Sequence, residues 1–309
     1  MTRPEPRKPD FFIVGAPKCG TTAMNGFLEQ HPEIFIPDIK EVHFFGRDLD
    51  ITKGALRDEG RYLALFEPAA REKRLGEASV WYLYSRTAAQ EIRAFNPAAR
   101  IVVMLRNPAE MLYSQHSQFL YNGNEDIPDF REALAAEPDR RAGRRVPKSA
   151  HFAEGLRYSE TVRYAEQLGR YLDLFGPEQV HVILYDDFRA DLPGTYRELL
   201  RFLGVSDDFS PEFAVVNPNK RARSPLLRDF VQTPPEGVKR LSRLLFPRSV
   251  RQRVMRGLEG ANIRYEARAP LDPELKSELE RRFAPEVERL EVLLGRPLPW
   301  PKPAPIRVP

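Results

Sequence analysis

A chain of 309 residues that is 42% hydrophobic and 30% charged can bury one sizeable core, which excludes a disordered or low-complexity polymer. Its net charge of +4 favours anionic ligands without selecting among them. A single cysteine, Cys19, excludes an internal disulfide and suits a reducing compartment; no run approaches the roughly 18 apolar residues that span a bilayer.

Met1–Asp10 is polar and proline-rich and does not read as a signal peptide, so a cytoplasmic protein is expected. Phe11-Phe12-Ile13-Val14 is wholly apolar and stops at glycine, as a buried strand of a parallel sheet does. Gly15–Thr22 forms a loop. From Gly20 the pattern turns helical, with Met24, Phe27 and Leu28 on one face, until His31-Pro32 ends it. Lys40–Phe45 alternates polar and apolar residues. If extended, it puts Glu41 and His43 on one side and Val42 and Phe44 on the other. Arg74–Ala78 is a weaker strand, and a helix follows over Thr87–Phe95.

Ile101–Leu105 is the strongest strand signal. It runs into Arg106-Asn107-Pro108-Ala109-Glu110. Asn107 suits a helix N-cap, Pro108 the first helical position and Glu110 a capping box, so a helix is expected from Pro108 to about Tyr121. Pro138–Lys148, rich in arginine and proline, reads as a mobile loop. Val162, Ala165, Leu168, Leu172 and Phe175 mark a helix, Val180–Leu184 a buried strand, and Thr195–Leu203 a helix ended by Gly204. The C-terminal third is helical. Leu271-Asp272-Pro273-Glu274 starts a helix that Pro285 is expected to split or kink. Strands alternating with helices predict an α/β fold, its sheet covered on both faces. No linker interrupts the middle, so one domain over 1–309 is expected, with irregular tails at 1–10 and 301–309.

The loop Gly15–Thr22 lies between strand and helix, where backbone N–H groups and a helix N-terminus cradle a phosphate. In the nucleoside-triphosphate pattern G-x-x-x-x-G-K-[ST], a lysine follows the second glycine. Here both glycines keep that spacing, but Thr21 takes the lysine position and Lys18 lies inside the loop. The cation of this anion site is therefore aimed differently. Arg106, at the carboxyl end of a strand, is placed to reach a ligand in the crevice of an open sheet, and its guanidinium suits phosphate. Ser114 follows two turns along the helix. Alone, Arg106 would read as a surface ion pair and Ser114 as a neutral helix residue. Glu41 and His43 make an acid–base pair or, on the bland reading, two solvated side chains on an edge. His31, His116, His151 and His181 have no such context. No His/Cys cluster shows ligand spacing, so no metal is expected.

Together these motifs carry a resemblance. Pro17-Lys18-Cys19-Gly20-Thr21-Thr22 resembles the 5′-phosphosulfate loop of sulfotransferases that use 3′-phosphoadenosine 5′-phosphosulfate (PAPS), most of all the heparan-sulfate sulfotransferases and their bacterial relatives. Leu105–Ser114 resembles their 3′-phosphate motif, an arginine and a serine eight residues later, and Gln118–Asn122 continues the likeness. Glu41-Val42-His43-Phe44-Phe45 is similar to the segment that supplies the general base in heparan-sulfate 3-O-sulfotransferases. The resemblance implies a parallel sheet of the nucleotide-kinase type. It implies Lys18 at the bridging oxygen of the leaving phosphate, and Cys19, Gly20, Thr21 and Thr22 around the 5′-phosphate. Arg106 and Ser114 would hold the 3′-phosphate, with Glu41 as base and His43 beside it. Asn217–Arg223 lies where the family has a basic loop ending Lys-Gly-Arg, which points to Lys220, Arg221 and Arg223. This chain lacks the glycine there and the disulfide that braces that loop in the Golgi enzymes. Gly76–Tyr82 is similar to a stretch lining the acceptor side, or else is core.

The implied activity is sulfuryl transfer from PAPS to a hydroxyl or amine of a carbohydrate or other small molecule, with no metal and no nucleic-acid partner. Residues 238–258 carry seven cations and no acidic residue, except that Glu259 follows directly. They suit a solvated face, peripheral contact with a membrane surface or an anionic acceptor. Two other functions fit parts of the chain: a phosphate-loop kinase or NTPase, which the missing lysine after Gly20 disfavours, and a non-catalytic anion- or membrane-surface-binding protein.

Overall fold

The computed structural model describes residues 7–52, 54–213, 220–224, 227, 237, 238, 254, 257, 258, 262–266 and 268–301. Residues 217–219 of the expected basic loop, most of the basic stretch 238–258 and the outer parts of both tails lie outside the described residues.

In chain order the elements are β1 (Phe11–Gly15), α1 (Thr21–Leu28), β2 (Ile34–Phe35), α2 (Glu59–Ala64), β3 (Arg74–Ala78), α3 (Ala88–Phe95), β4 (Arg100–Leu105) and α4 (Pro108–Asn122). Then come α5 (Phe130–Ala135), α6 (Glu137–Arg141), α7 (Tyr158–Thr161), α8 (Tyr164–Phe175), β5 (Val180–Leu184), α9 (Tyr185–Ala190) and α10 (Leu192–Leu203). The last are β6 (Lys220–Ala222), β7 (Ile263–Tyr265) and α11 (Pro273–Leu294). The chain forms two compact units. The first comprises Met1–Leu112, Tyr158–Val216 and Leu271–Pro309; the second comprises Tyr113–Arg157 and Asn217–Pro270.

The first unit is an α/β fold around a parallel sheet of order β2-β3-β1-β4-β5, flanked by helices that include α1, α8 and α10. The apolar runs explain the order. Phe11 to Val14 and Ile101 to Leu105 are each 0% exposed, as strands covered on both faces must be. β1 lies between β3 and β4, so the strand order reverses there. In open α/β sheets, ligands bind outside the carboxyl ends of the strands at such a switch point. The loops after β1, β3 and β4 all leave from that edge.

Several expected details change. Lys40–Phe45 forms no strand: Glu41 (φ 64°) and His43 (φ 49°) adopt left-handed backbone, because contacts from the end of β3 override the local alternation. Asn107 caps α4 as expected, its Oδ1 accepting the N–H groups of Ala109 (3.0 Å) and Glu110 (3.3 Å). The Glu110 carboxylate accepts instead from Arg106, so no capping box closes. Pro285 does not split α11, which continues through it. The bond lost at proline is offset by packing: Leu279, Phe283, Val287 and Leu290 are buried on either side, and Glu286 Oε1 accepts the Ala165 N–H at 2.6 Å.

The second unit contains most of α4, α5, α6 and the antiparallel ribbon β6–β7, with Lys220 opposite Tyr265, Arg221 opposite Arg264 and Ala222 opposite Ile263. The expected mobile loop Pro138–Lys148 begins as helix α6. Arg140, within that segment, is buried with its guanidinium 2.6 Å from the equally buried Glu125, and it also donates to the Ala133 and Leu156 carbonyls. A buried charge persists only with such partners. His31 and His116 are structural, each with Nε2 2.9 Å from a carbonyl oxygen, of Ser206 and Ile127 respectively.

Candidate active site

The loop after β1 owes its path to two glycines. A Cβ at Gly15 would lie 2.6 Å from the Val80 carbonyl oxygen and 2.7 Å from the Leu83 Cβ, so only glycine lets β1 end against the loop after β3. Gly20, at φ 92°, turns the chain into α1. No side chain caps α1, and its first internal bond runs from the Met24 N–H to the Gly20 oxygen at 3.0 Å. The N–H groups of Thr21, Thr22 and Ala23 are therefore the orphan donors of that helix start, where the dipole also favours an anion. Thr22 is exposed and Thr21 buried, so the Thr22 hydroxyl is the one open to a ligand.

Lys18 is half-buried with φ 60°. Cys19 is fully buried and its thiol donates to the Pro17 oxygen at 3.3 Å. Burial pushes that thiol up to about 12, against the opposing charges of Arg106 and Lys18. Both cations thus act electrostatically on one buried atom of this loop, and Cys19 offers a ligand its backbone rather than its sulfur.

The segment carrying Glu41 and His43 is bound to the end of β3. The Glu41 N–H donates to the Ala78 oxygen at 3.0 Å, and Glu41 Oε2 accepts the Val80 N–H at 3.0 Å. Lys40 Nζ pairs with Glu41 Oε1, and His43 Nε2 lies 3.4 Å from Glu41 Oε2. Burial lowers the His43 pKa; Glu41 opposes this, while Arg57 and Lys40 reinforce it. The imidazole is therefore neutral at pH 7, and its buried Nδ1 has no hydrogen-bond partner among the described residues. Only four non-glycine residues among those described have positive φ: Lys18, Glu41, His43 and Arg145. Such backbone is costly and gathers at functional sites. Three of the four are the residues the sequence selects for chemistry.

Sequence reasoning missed what holds this segment. Glu77, fully buried on β3, accepts three hydroxyls: Tyr62 at 2.7 Å, Tyr82 at 2.8 Å and Ser79 at 2.5 Å. Ser79 Oγ in turn accepts the His43 N–H at 3.0 Å, and the Tyr82 hydroxyl accepts the Phe45 N–H at 3.2 Å. Arg57 donates to the carbonyls of Phe44, Phe45, Gly46 and Leu49. The one visible signal was a carboxylate inside an otherwise buried strand. Tyr82, from the aromatic stretch Gly76–Tyr82, is core and belongs to this network.

Arg106 leaves β4 with its guanidinium 4.4 Å from the Tyr185 ring centroid and 2.9 Å from Glu110. Burial opposes ionisation of Glu110, but its hydrogen bond and ion pair with Arg106, with Lys276 adding charge, hold the carboxyl below its ordinary value. An anion at Arg106 competes with that carboxylate. Ser114 is buried in the second unit, where its Oγ accepts from Arg268 Nη2 at 3.0 Å. Lys220 and Arg221 open β6. Arg223 lies past the other end of β6, exposed, its N–H donating to the Asn262 oxygen at 2.8 Å.

A parallel sheet whose glycine-bounded loop runs from its central strand into a helix defines an α/β protein of the phosphate-loop type. The family model "Sulfotransferase domain" matches residues 8–216, and the chain belongs to that family. It is 28% identical over 268 residues to carbohydrate sulfotransferase 15 of Homo sapiens, an alignment that covers 70% of this chain. It is 28% identical over 212 residues, 64% of this chain, to the bifunctional heparan sulfate N-deacetylase/N-sulfotransferase 3 of Homo sapiens. The chain spans only 48% and 22% of these two relatives. A crystal structure of a sulfotransferase from Alicyclobacillus acidocaldarius superposes with a TM-score of 0.71 at 32% identity, covering 94% of this chain and 98% of that one.

Proposed function

We propose that this sulfotransferase moves the sulfuryl group of PAPS in line to a hydroxyl or amine of a carbohydrate or other small acceptor, with Glu41 as general base. The observation that carries the reading is the backbone of Val80. Its carbonyl packs on Gly15 at the start of the loop, and its N–H donates to the Glu41 carboxylate, so one residue contacts both the loop and Glu41. In the transfer, the acceptor oxygen or nitrogen bonds to sulfur while the bond from sulfur to the bridging oxygen breaks. Glu41 takes the acceptor's proton, and adenosine 3′,5′-bisphosphate leaves.

Such a transition state asks mainly for positioning and charge stabilisation. Lys18 neutralises charge gathering on the bridging oxygen. The backbone from Cys19 to Thr21, the Thr22 hydroxyl and the start of α1 hold the 5′-phosphate, and Arg106 and Ser114 the 3′-phosphate. Burial favours the neutral form of His43, 3.4 Å from Glu41, so the imidazole brings no added positive charge beside that carboxylate. The two human relatives named above, called a carbohydrate sulfotransferase and a heparan sulfate N-sulfotransferase, support a carbohydrate acceptor.

The test is transfer from labelled PAPS to a panel of acceptors, with products identified by mass spectrometry. Glu41→Gln keeps the side chain's shape but cannot take the proton. Turnover is expected to fall by roughly 10²–10⁴ with nucleotide affinity unchanged. Full turnover in that variant removes Glu41 from the role.

A further inference from the structure

We infer that Arg268 is a ligand of the donor's 3′-phosphate, reading it together with Ser114. The inference rests on the PAPS reading above and extends it to a residue outside every motif of the sequence. A serine within a helix ordinarily turns its hydroxyl to water or back to the carbonyl one turn earlier. Ser114 is instead only 3% exposed, and its Oγ accepts from Arg268 Nη2 at 3.0 Å. A hydroxyl has one proton to donate and two lone pairs. The guanidinium occupies a lone pair, so the Ser114 proton remains for an acceptor such as a phosphate oxygen.

The Arg268 guanidinium carbon lies 5.4 Å from the Tyr113 ring centroid, so the neighbouring ring helps to set the plane of the fork. A planar fork beside a hydroxyl donor matches the oxygens of a phosphate dianion.

The ribbon β6–β7 sets the direction from which the chain approaches Arg268. Its register sets Lys220 opposite Tyr265. The chain leaving β7 toward Arg268 therefore departs from the end at which β6 begins with Lys220. Arg223 follows Ala222 at the other end, where its N–H is tied to Asn262. Of these two arginines, Arg268 is the one that touches Ser114. All of these residues belong to the second unit.

The test is calorimetric binding of adenosine 3′,5′-bisphosphate and of AMP, which lacks the 3′-phosphate. The proteins are wild type, Arg268→Ala, Arg268→Gln and Arg264→Ala. Arg264 is an exposed arginine on β7 that pairs with Glu266, and its variant controls for loss of one positive charge. Wild type is expected to prefer the bisphosphate by more than about tenfold. Either Arg268 variant is expected to lose about tenfold or more in bisphosphate affinity while binding AMP within about twofold of wild type. Unchanged AMP binding shows that the variant is folded, and Arg264→Ala should keep the full preference. Equal weakening of both nucleotides, or a full preference in the Arg268 variants, overturns the assignment of Arg268 alone. A wild type that binds both nucleotides equally overturns the PAPS reading, and this assignment falls with it.

Discussion

Glu77 is the residue through which the base segment can be tested most directly. Replacing it with alanine leaves the hydroxyls of Tyr62, Ser79 and Tyr82 without their acceptor, and all three residues are 0% exposed. A buried donor left unsatisfied costs about 1–3 kcal/mol, so the three together cost about 3–9 kcal/mol, less whatever water recovers by entering the space. That is comparable with the whole stability of a domain, about 5–15 kcal/mol. Glutamine behaves differently. Its oxygen can accept from Ser79 and Tyr82 where the carboxylate Oε1 did, and its amide can donate to the Tyr62 hydroxyl, so a cost below about 2 kcal/mol is expected.

The two variants also differ from wild type in pH dependence. Burial raises the Glu77 pKa above its ordinary value, and the hydrogen bonds from Ser79, Tyr62 and Tyr82 only partly offset it. The folded state thus holds this proton more tightly than the unfolded state. The resulting stability is fully present below the ordinary glutamate range and is lost as pH rises through the raised native value. Glu77→Gln removes that loss, so its stability relative to wild type should climb across this window and then level off. Urea unfolding followed by circular dichroism from pH 4 to pH 8 measures both effects. An alanine variant within about 1 kcal/mol of wild type, or a glutamine variant as unstable as alanine, would refute the reasoning.

Lys18→Ala is expected to slow single-turnover transfer by about two orders of magnitude or more while weakening bisphosphate binding far less, because charge on the bridging oxygen appears only in the transition state. Thr22→Ala should lower binding and rate together; a Lys18 variant that loses affinity but keeps its rate makes the lysine a simple phosphate anchor. Gly15→Ala should destabilise the protein and displace Glu41, since the added methyl meets the Val80 carbonyl at 2.6 Å; denaturant unfolding and turnover measured together check this, and wild-type values in both would exclude the contact.

The strands were legible because a parallel sheet buried on both faces needs short apolar runs: Phe11–Val14 and Ile101–Leu105 are wholly apolar, and Val180–Leu184 is apolar apart from His181. The loop between β1 and α1 was legible because glycine spacing and a following helix are local features. The conformation of Lys40–Phe45 was not local. Its polar–apolar alternation suits an extended segment, but Ala78, Ser79, Val80 and Tyr82 fix it from across the sheet. Glu110 and the segment 138–148 misled for a related reason: the Glu110 carboxylate pairs with Arg106 instead of closing a capping box, and Arg140 is buried against Glu125, 15 residues earlier. Arg268 lies 154 residues from Ser114 in sequence, and nothing in its neighbourhood separates it from the other arginines of the C-terminal third.

Cys19 sits just before a helix N-terminus and within the influence of two cations, surroundings that ordinarily acidify a thiol and make it reactive. Burial reverses this and holds the thiol up to about 12. At neutral pH the sulfur carries almost no thiolate, so oxidants and alkylating reagents meet no nucleophile there. Burial and protonation together make the one sulfur of the loop Gly15–Thr22 a poor target for oxidation.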